Sequence, residues 1–120
     1  MVFNICGLYA FGISYYDFVK RVKSHLGTLS PRGNGIECIR TYEVLYLNSI
    51  PIVIGNGNEY RAIYEKIYKN LPIVFIEDLN ELKNLSLIEE KIKKNKNKSK
   101  EMIDYFFWKD LIEKKIKKLL

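Results

Sequence analysis

Ser30-Pro31-Arg32-Gly33-Asn34-Gly35, the run Ile36 to Leu47 behind it, and Ile50-Pro51-Ile52-Val53-Ile54 decide how this chain is read. A glycine-rich turn between a short strand and a helix leaves backbone N–H groups directed at open space, where a phosphate or another anion binds. Leu26 to Ser30 reads as the strand, ended by Pro31. Ile36 to Leu47 reads as a helix with apolar residues on nearly every side, the pattern of a helix packed between other elements. Asn48 and Ser49 end it, and Ile50 to Ile54 is a buried strand of the parallel type.

Beyond that stretch the same alternation repeats. Gly55-Asn56-Gly57-Asn58 is a second glycine turn, and Tyr60, Ile63, Tyr64, Ile67 and Tyr68 form an i, i+3, i+4, i+7, i+8 stripe. Asn70-Leu71-Pro72 breaks that helix, and Ile73 to Ile76 gives another buried strand. Strand, helix, strand, helix, strand with short loops predicts an α/β fold. The expected architecture is a Rossmann-like half-domain, a three-stranded parallel sheet flanked by helices, with further helices at the C-terminal end. On such sheets ligands bind beyond the carboxyl ends of the strands, where both glycine turns fall.

Upstream, Ser14 and Asp17 resemble a capping pair ahead of a helix from about Tyr15 to His25, while residues 2–10 read equally as a strand or an entry segment. Downstream, Ser86 and Glu89 suggest a capping box for a helix through about Lys94. Lys91 to Lys100 reads as a solvated helix end and linker, and an amphipathic helix around Ile103 to Leu119 is expected to fold back onto the sheet. We divide the chain into an α/β half-domain, residues 1–82, and lysine-rich C-terminal helices, residues 83–120, packed on it as one domain.

The net charge is +6, but residues 1–80 hold 8 Lys/Arg against 7 Asp/Glu while residues 81–120 hold 12 against 7. The basic excess therefore lies away from the glycine loop. An AT-rich source genome accounts for the abundance of Ile, Lys, Asn, Tyr and Phe, so no nucleic-acid partner is expected. A basic nucleic-acid binder working through Lys91 to Lys118 is the competing reading, and it requires salt-dependent binding. Cys6 and Cys38 in apolar surroundings do not suggest a secreted disulfide framework. No signal peptide and no apolar run long enough to span a bilayer is evident, which makes the expected location cytoplasmic.

No catalytic constellation emerges from the residues. His25 has no second His, Cys or Asp at ligand spacing, so no metal site is expected, and Cys38 reads as a small buried hydrophobe. Glu43 falls on the wheel among Ile36, Ile39 and Leu47, with Arg40 one turn before it, and a carboxylate on an apolar face needs a partner. Two readings stand side by side. Arg40 and Glu43 form a structural i, i+3 pair, or Glu43 accepts sugar or ribose hydroxyls while Arg32 or Arg40 and the helix N-terminus face a pyrophosphate. The glycine spacing matches neither the Walker loop nor the dinucleotide fingerprint.

The ordered motifs SPRGNGIECIRTYEVLYLNSIPIV and LPIVFIEDLNEL resemble the C-terminal segment of exostosin-like and related glycosyltransferases of the two-domain GT-B type. The likeness covers about Ser14 to Leu82 and extends to the final aromatic helix with Phe107 and Trp108. It implies a domain that binds a nucleotide-diphosphate sugar as donor substrate, without another cofactor. Carried over, Arg32 and Arg40 contact the diphosphate, Gly33 and Gly35 allow close backbone approach, Asn34 belongs to the same substrate-binding loop, and Glu43 holds the ribose. Ile39 stands where the pattern often has His. The resemblance also implies an N-terminal half, which forms the other wall of the cleft, so the expected partners are a nucleotide sugar and a second chain supplying that half. The alternative reading is a non-catalytic, truncated glycosyltransferase remnant or a protein-interaction module.

Overall fold

The computed structural model describes residues 3–5, 13–31 and 39–120. Four parallel strands, β1 (Phe3–Ile5), β2 (Gly27–Ser30), β3 (Ile50–Ile54) and β4 (Val74–Ile76), lie side by side in chain order. The three expected strands are present, and β1 adds a fourth by pairing Phe3 with Gly27 and Ile5 with Leu29. Pro51 lies inside β3 opposite Thr28, a position usually denied to proline in a central strand because it donates no ladder bond.

Helices α1 (Tyr15–Lys23), α2 (Ile39–Tyr46) and α3 (Asn58–Lys66) make the connections. Ser14 starts α1 as the spacing predicts, its Oγ accepting from the Asp17 N–H at 3.2 Å. Successive crossovers of one hand put their helices on one face of the sheet. On that face Val53, Ile73 and Phe75 meet Leu45 of α2 and Ile63 and Tyr64 of α3, while Phe18 and Val22 of α1 meet Val44. After β4 the chain crosses to the other face. There α4 (Leu85–Asn95) sets Ile88 and Ile92 against Leu29, Ile50, Ile52, Val74 and Ile76. The period-2 alternation along β3 thus feeds two apolar layers, which is why that strand reads as continuously hydrophobic.

Helix α2 ends in a Schellman arrangement. The Ser49 N–H bonds to the Val44 carbonyl and the Asn48 N–H to the Leu45 carbonyl, both at 3.1 Å. Asn48 takes φ 60°, the left-handed conformation that asparagine tolerates in place of glycine.

Three expectations are corrected. Helix α2 is not enclosed: Thr41, Val44 and Leu45 are buried, whereas Ile39 is 79% exposed. Its apolar outer positions therefore do not mark a second packing face, since scattered exposed apolar residues are ordinary. Helix α4 is capped by Asn84, whose Oδ1 accepts from the Leu87 N–H at 3.1 Å, and not by Ser86, which lies inside the first turn. A capping box does occur upstream, where Asp78 and Glu81 open a short 3-10 helix at Leu79–Lys83.

The lysine-rich run is the end of α4 and a turn, as expected, with Lys93, Lys94 and Lys96 exposed, while Lys91, Lys98 and Lys100 are tied back to the body. Lys91 pairs with Glu81 at 2.8 Å, and Lys98 Nζ donates to the Lys69 carbonyl at 2.7 Å. Lys100 Nζ donates to the Leu45 carbonyl at 3.2 Å and to Asn48 Oδ1. Lys98 thus supplies a donor to the Lys69 carbonyl, and Lys100 adds a second donor to the Leu45 carbonyl that already accepts the Asn48 N–H. The last helix, α5 (Tyr105–Leu119), does not return to the sheet, and none of its residues is buried. What returns is the 3-10 turn before it, where Met102 and Ile103 pack on the α2–α3 layer and Tyr46 Oη donates to the Ile103 carbonyl at 2.8 Å.

Candidate functional site

Because the strands are parallel and adjacent, their carboxyl ends share one edge. That edge carries Ser30-Pro31 after β2, Gly55-Asn56-Gly57 after β3 and Glu77-Asp78 after β4. The backbone polar groups at these exits need partners, so the edge is where a ligand finds donors and acceptors.

At the β2 exit Ser30 is buried, and its Oγ shares a 2.7 Å hydrogen bond with Oγ1 of buried Thr41 on α2. This bond ties the end of β2 to the first turn of α2. Arg32, Gly33, Asn34 and Gly35 themselves lie outside the described residues, as do Cys6 and Cys38.

Arg40 and Glu43 are brought together. Arg40 Nε sits 3.5 Å from Glu43 Oε2, with side chains 26% and 34% exposed. The Arg40 guanidinium also lies 4.2 Å from the ring centroid of Phe18 on α1. A guanidinium over a ring face loses little hydration while gaining the attraction of the ring quadrupole. Glu43 does not occupy an apolar buried face. The buried side of α2 is centred on Thr41, Val44 and Leu45, and at 100° per residue Glu43 points the opposite way. Its carboxylate is one third exposed, so water and Arg40 share its charge.

Along the free edge of β4, from Ile73 to Glu77 and reaching the Gly55-Asn56-Gly57 turn, lies a cleft of about 580 Å³. It exists because α3 covers one face of the edge strand β4 while α4 covers the other, so the two helices diverge around the strand end. Arg61, Tyr64 and Glu65 form one wall and Glu81, Lys91 and Asn95 the other. Tyr64 is held by Phe75, their ring centroids 5.3 Å apart. This cleft was not singled out from the sequence. Its one legible signal is the Gly55-Asn56-Gly57 turn, because Glu81 and Lys91 come together only through the crossover of α4 to the far face.

Glu81 is the best-fixed charge in the cleft. Its Oε2 accepts from Lys91 at 2.8 Å, and its Oε1 accepts from the Glu77 N–H at 2.9 Å. The Lys91 hydrogen bond, aided by those to the backbone, holds the carboxyl below its ordinary value of 4.5 against a smaller opposing effect of burial. A lowered folded-state value favours folding when the group is ionised. Its stabilisation is present in full above the ordinary value and is lost as pH falls through the lowered one. Glu81→Gln is therefore expected to cost about 1 kcal/mol at pH 7, the size of a charge-assisted, partly exposed contact. Urea denaturation at pH 7 and pH 3 measures this, and the wild-type advantage should shrink at the lower pH.

His25 is accounted for within α1's C-terminal turn, its Nδ1 2.8 Å from the Arg21 carbonyl and 2.9 Å from Ser24 Oγ. Among the described residues no group of three or more His, Cys, Asp or Glu is placed to hold a metal ion. No helix among them is long and apolar enough to cross a membrane.

A comparison with family models matches residues 13–120 to the model described as RXYLT1 C-terminal domain. No curated protein matches the chain.

Proposed function

The chain belongs to the RXYLT1 C-terminal domain family, a C-terminal half of the exostosin-like glycosyltransferases, and on that premise we propose that it binds a nucleotide-diphosphate sugar. The donor lies along the carboxyl edge of the sheet, in a GT-B arrangement. The observation that carries the reading is the Arg40–Glu43 pair on α2. A cation anchored on Phe18 and a solvent-accessible carboxylate stand one turn apart, immediately after the glycine loop. In this reading the diphosphate is held by Arg40, Arg32 and the backbone around Gly33, Asn34 and Gly35, and the ribose hydroxyls by Glu43.

Among the described residues Nε is the Arg40 nitrogen engaged by Glu43, which leaves the terminal guanidinium nitrogens as the fork that faces phosphate oxygens. Transfer of the glycosyl group requires an N-terminal partner half as the second wall of the cleft. Without that wall water reaches the donor and competes with the acceptor.

Calorimetric titration tests the proposal. Because the family is that of a xylosyltransferase, UDP-xylose is the first donor to titrate, followed by GDP-linked sugars and the free nucleotides. Saturable binding is expected, weakened about tenfold or more by Arg40→Ala or Glu43→Ala, since each removes a charge-assisted contact of about 1.5–3 kcal/mol. Unfolding midpoints of both variants should stay close to wild type, because the pair is partly exposed and one turn apart. No binding to any donor, or binding indifferent to both substitutions, overturns the proposal.

A further inference from the structure

Strand β4 ends the sheet, with β3 on one side and, among the described residues, no strand on the other. Edge strands ordinarily stand open to water, yet Ile73 is 3% exposed and Val74 and Ile76 each 1%. The edge is recessed. It forms the floor of the cleft described above, with Arg61, Tyr64 and Glu65 of α3 along one side and Glu81, Lys91 and Asn95 along the other.

The backbone of that floor is unpaired in a definite order. The Gly55 N–H donates to the Ile76 carbonyl at 3.0 Å, which turns Ile76, and with it Val74, toward β3. Successive residues of a strand direct their N–H and C=O groups to opposite sides, so both groups of Phe75 and the carbonyl of Ile73 face the cleft. The row is closed at each end. The Ile73 N–H donates to the Leu71 carbonyl at 2.7 Å, and the Glu77 N–H to Glu81 Oε1 at 2.9 Å. What is left open, among the described residues, is an acceptor, a donor and an acceptor at strand spacing, the complement of an extended backbone.

We propose that this cleft takes an extended peptide segment of another protein, which adds a strand beside β4. The choice of occupant follows from the recess and its walls. A second copy would present its own β4 sunk between its own helices, which would meet α3 and α4 before the two edges came within hydrogen-bond distance, whereas a single extended segment enters. Cross-strand neighbours share a face, so the residue opposite Phe75 points to the α3 side, where the Phe75 and Tyr64 rings lie 5.3 Å apart. The residues before and after it point to Glu81, Lys91 and Asn95. The segment therefore alternates apolar and polar side chains. This docking is independent of the donor-site proposal, since it uses none of Arg32, Arg40 and Glu43.

Hydrogen exchange followed by NMR on the full chain reads the edge directly. In the free protein the Val74 and Ile76 amides are expected to be protected and the Phe75 amide to exchange freely. The probe is a pool of capped seven-residue peptides in which valine or tyrosine alternates with threonine or lysine. Titration should raise the protection of Phe75 about tenfold or more, with saturation. N-methylation of the best binder, one residue at a time, should weaken binding about tenfold at alternate positions only, because the N–H groups between them point away from β4. Tyr64→Ala should weaken binding as well, and the methylation scan on the wild-type chain holds whether or not that variant folds. Failure of the whole pool to protect Phe75, or a methylation pattern without a period of two, overturns the proposal. A Phe75 amide already protected in the free protein also overturns it, and a dimer by light scattering would then assign the edge to a second copy.

Discussion

Ile88→Ala is expected to destabilise the domain by about 3 kcal/mol, a large share of the roughly 5–15 kcal/mol that holds a domain of this size together. Ile88 is fully buried and, with Ile92, is the apolar contact that α4 makes with β2, β3 and β4 on the face the earlier helices leave open. Shortening it removes side-chain burial and leaves a void between a helix and a sheet that cannot collapse fully, because neighbouring Ile50, Ile52, Val74 and Ile76 are fixed by strand pairing. Ile112→Ala on α5 is the matched control. The same loss of side-chain atoms at a position 55% exposed should move stability by less than about 0.5 kcal/mol. Urea midpoints of the two variants measure the contrast. Similar costs for both would mean that α5 is packed on the body after all.

Gly55→Ala is expected to cost about 1–3 kcal/mol, the range for forcing extra atoms into a well-packed core. A Cβ at Gly55 would collide with Cγ, Cδ1 and Cε1 of Tyr60, the first-turn aromatic of α3. That ring is 6% exposed and lies 6.4 Å from the Phe75 ring, so it has no open space to swing into. The absence of a side chain at Gly55 lets α3 start directly over the end of β3. A double-mutant cycle checks the cause: in a Tyr60→Ala background Gly55→Ala should lose most of its cost. Gly57 is required for a different reason, since it sits at φ 88° with open space around it, and a side chain there meets backbone strain instead of a neighbour.

Most of the sheet was legible because its strands are short apolar runs bounded by proline, glycine and asparagine, and local chemistry of that kind does not wait for tertiary context. Ile50–Ile54 stands where the residues place it, while the helix expected to carry the stripe to Tyr68 ends at Lys66, with Ile67 as its C-cap and Tyr68 opening a 3-10 turn. Strand β1 was ambiguous because three residues carry no period. The cap of α4 was misplaced because Ser86-Glu89 and Asn84 compete over the same turn, and which residue caps depends on where the chain leaves the preceding 3-10 helix.

At the site, the pairing of Arg40 with Glu43 follows from helical spacing alone, but the side of α2 on which they lie does not. A helix apolar on nearly every side gives no orientation, and only docking onto β2 and β3 turned Thr41, Val44 and Leu45 inward and Glu43 outward. The stacking of Arg40 on Phe18 and the bond between Ser30 and Thr41 join residues from different elements and leave no trace in a sequence.

The α/β alternation, the parallel direction of the strands, the glycine turns at their carboxyl ends and the concentration of lysines after residue 80 were set by the order of residues. Each rests on local periodicity, on backbone freedom, or on the reach of a short connection. Tertiary structure alone decided which faces are covered. The crossover of α4 to the far side of β4 opens the cleft and joins Glu81 to Lys91, and Met102 and Ile103 dock on the α2–α3 layer while no residue of α5 is buried. The reason is geometric: periodicity says that a helix has an apolar side, while which surface that side meets depends on where the preceding loop releases the chain.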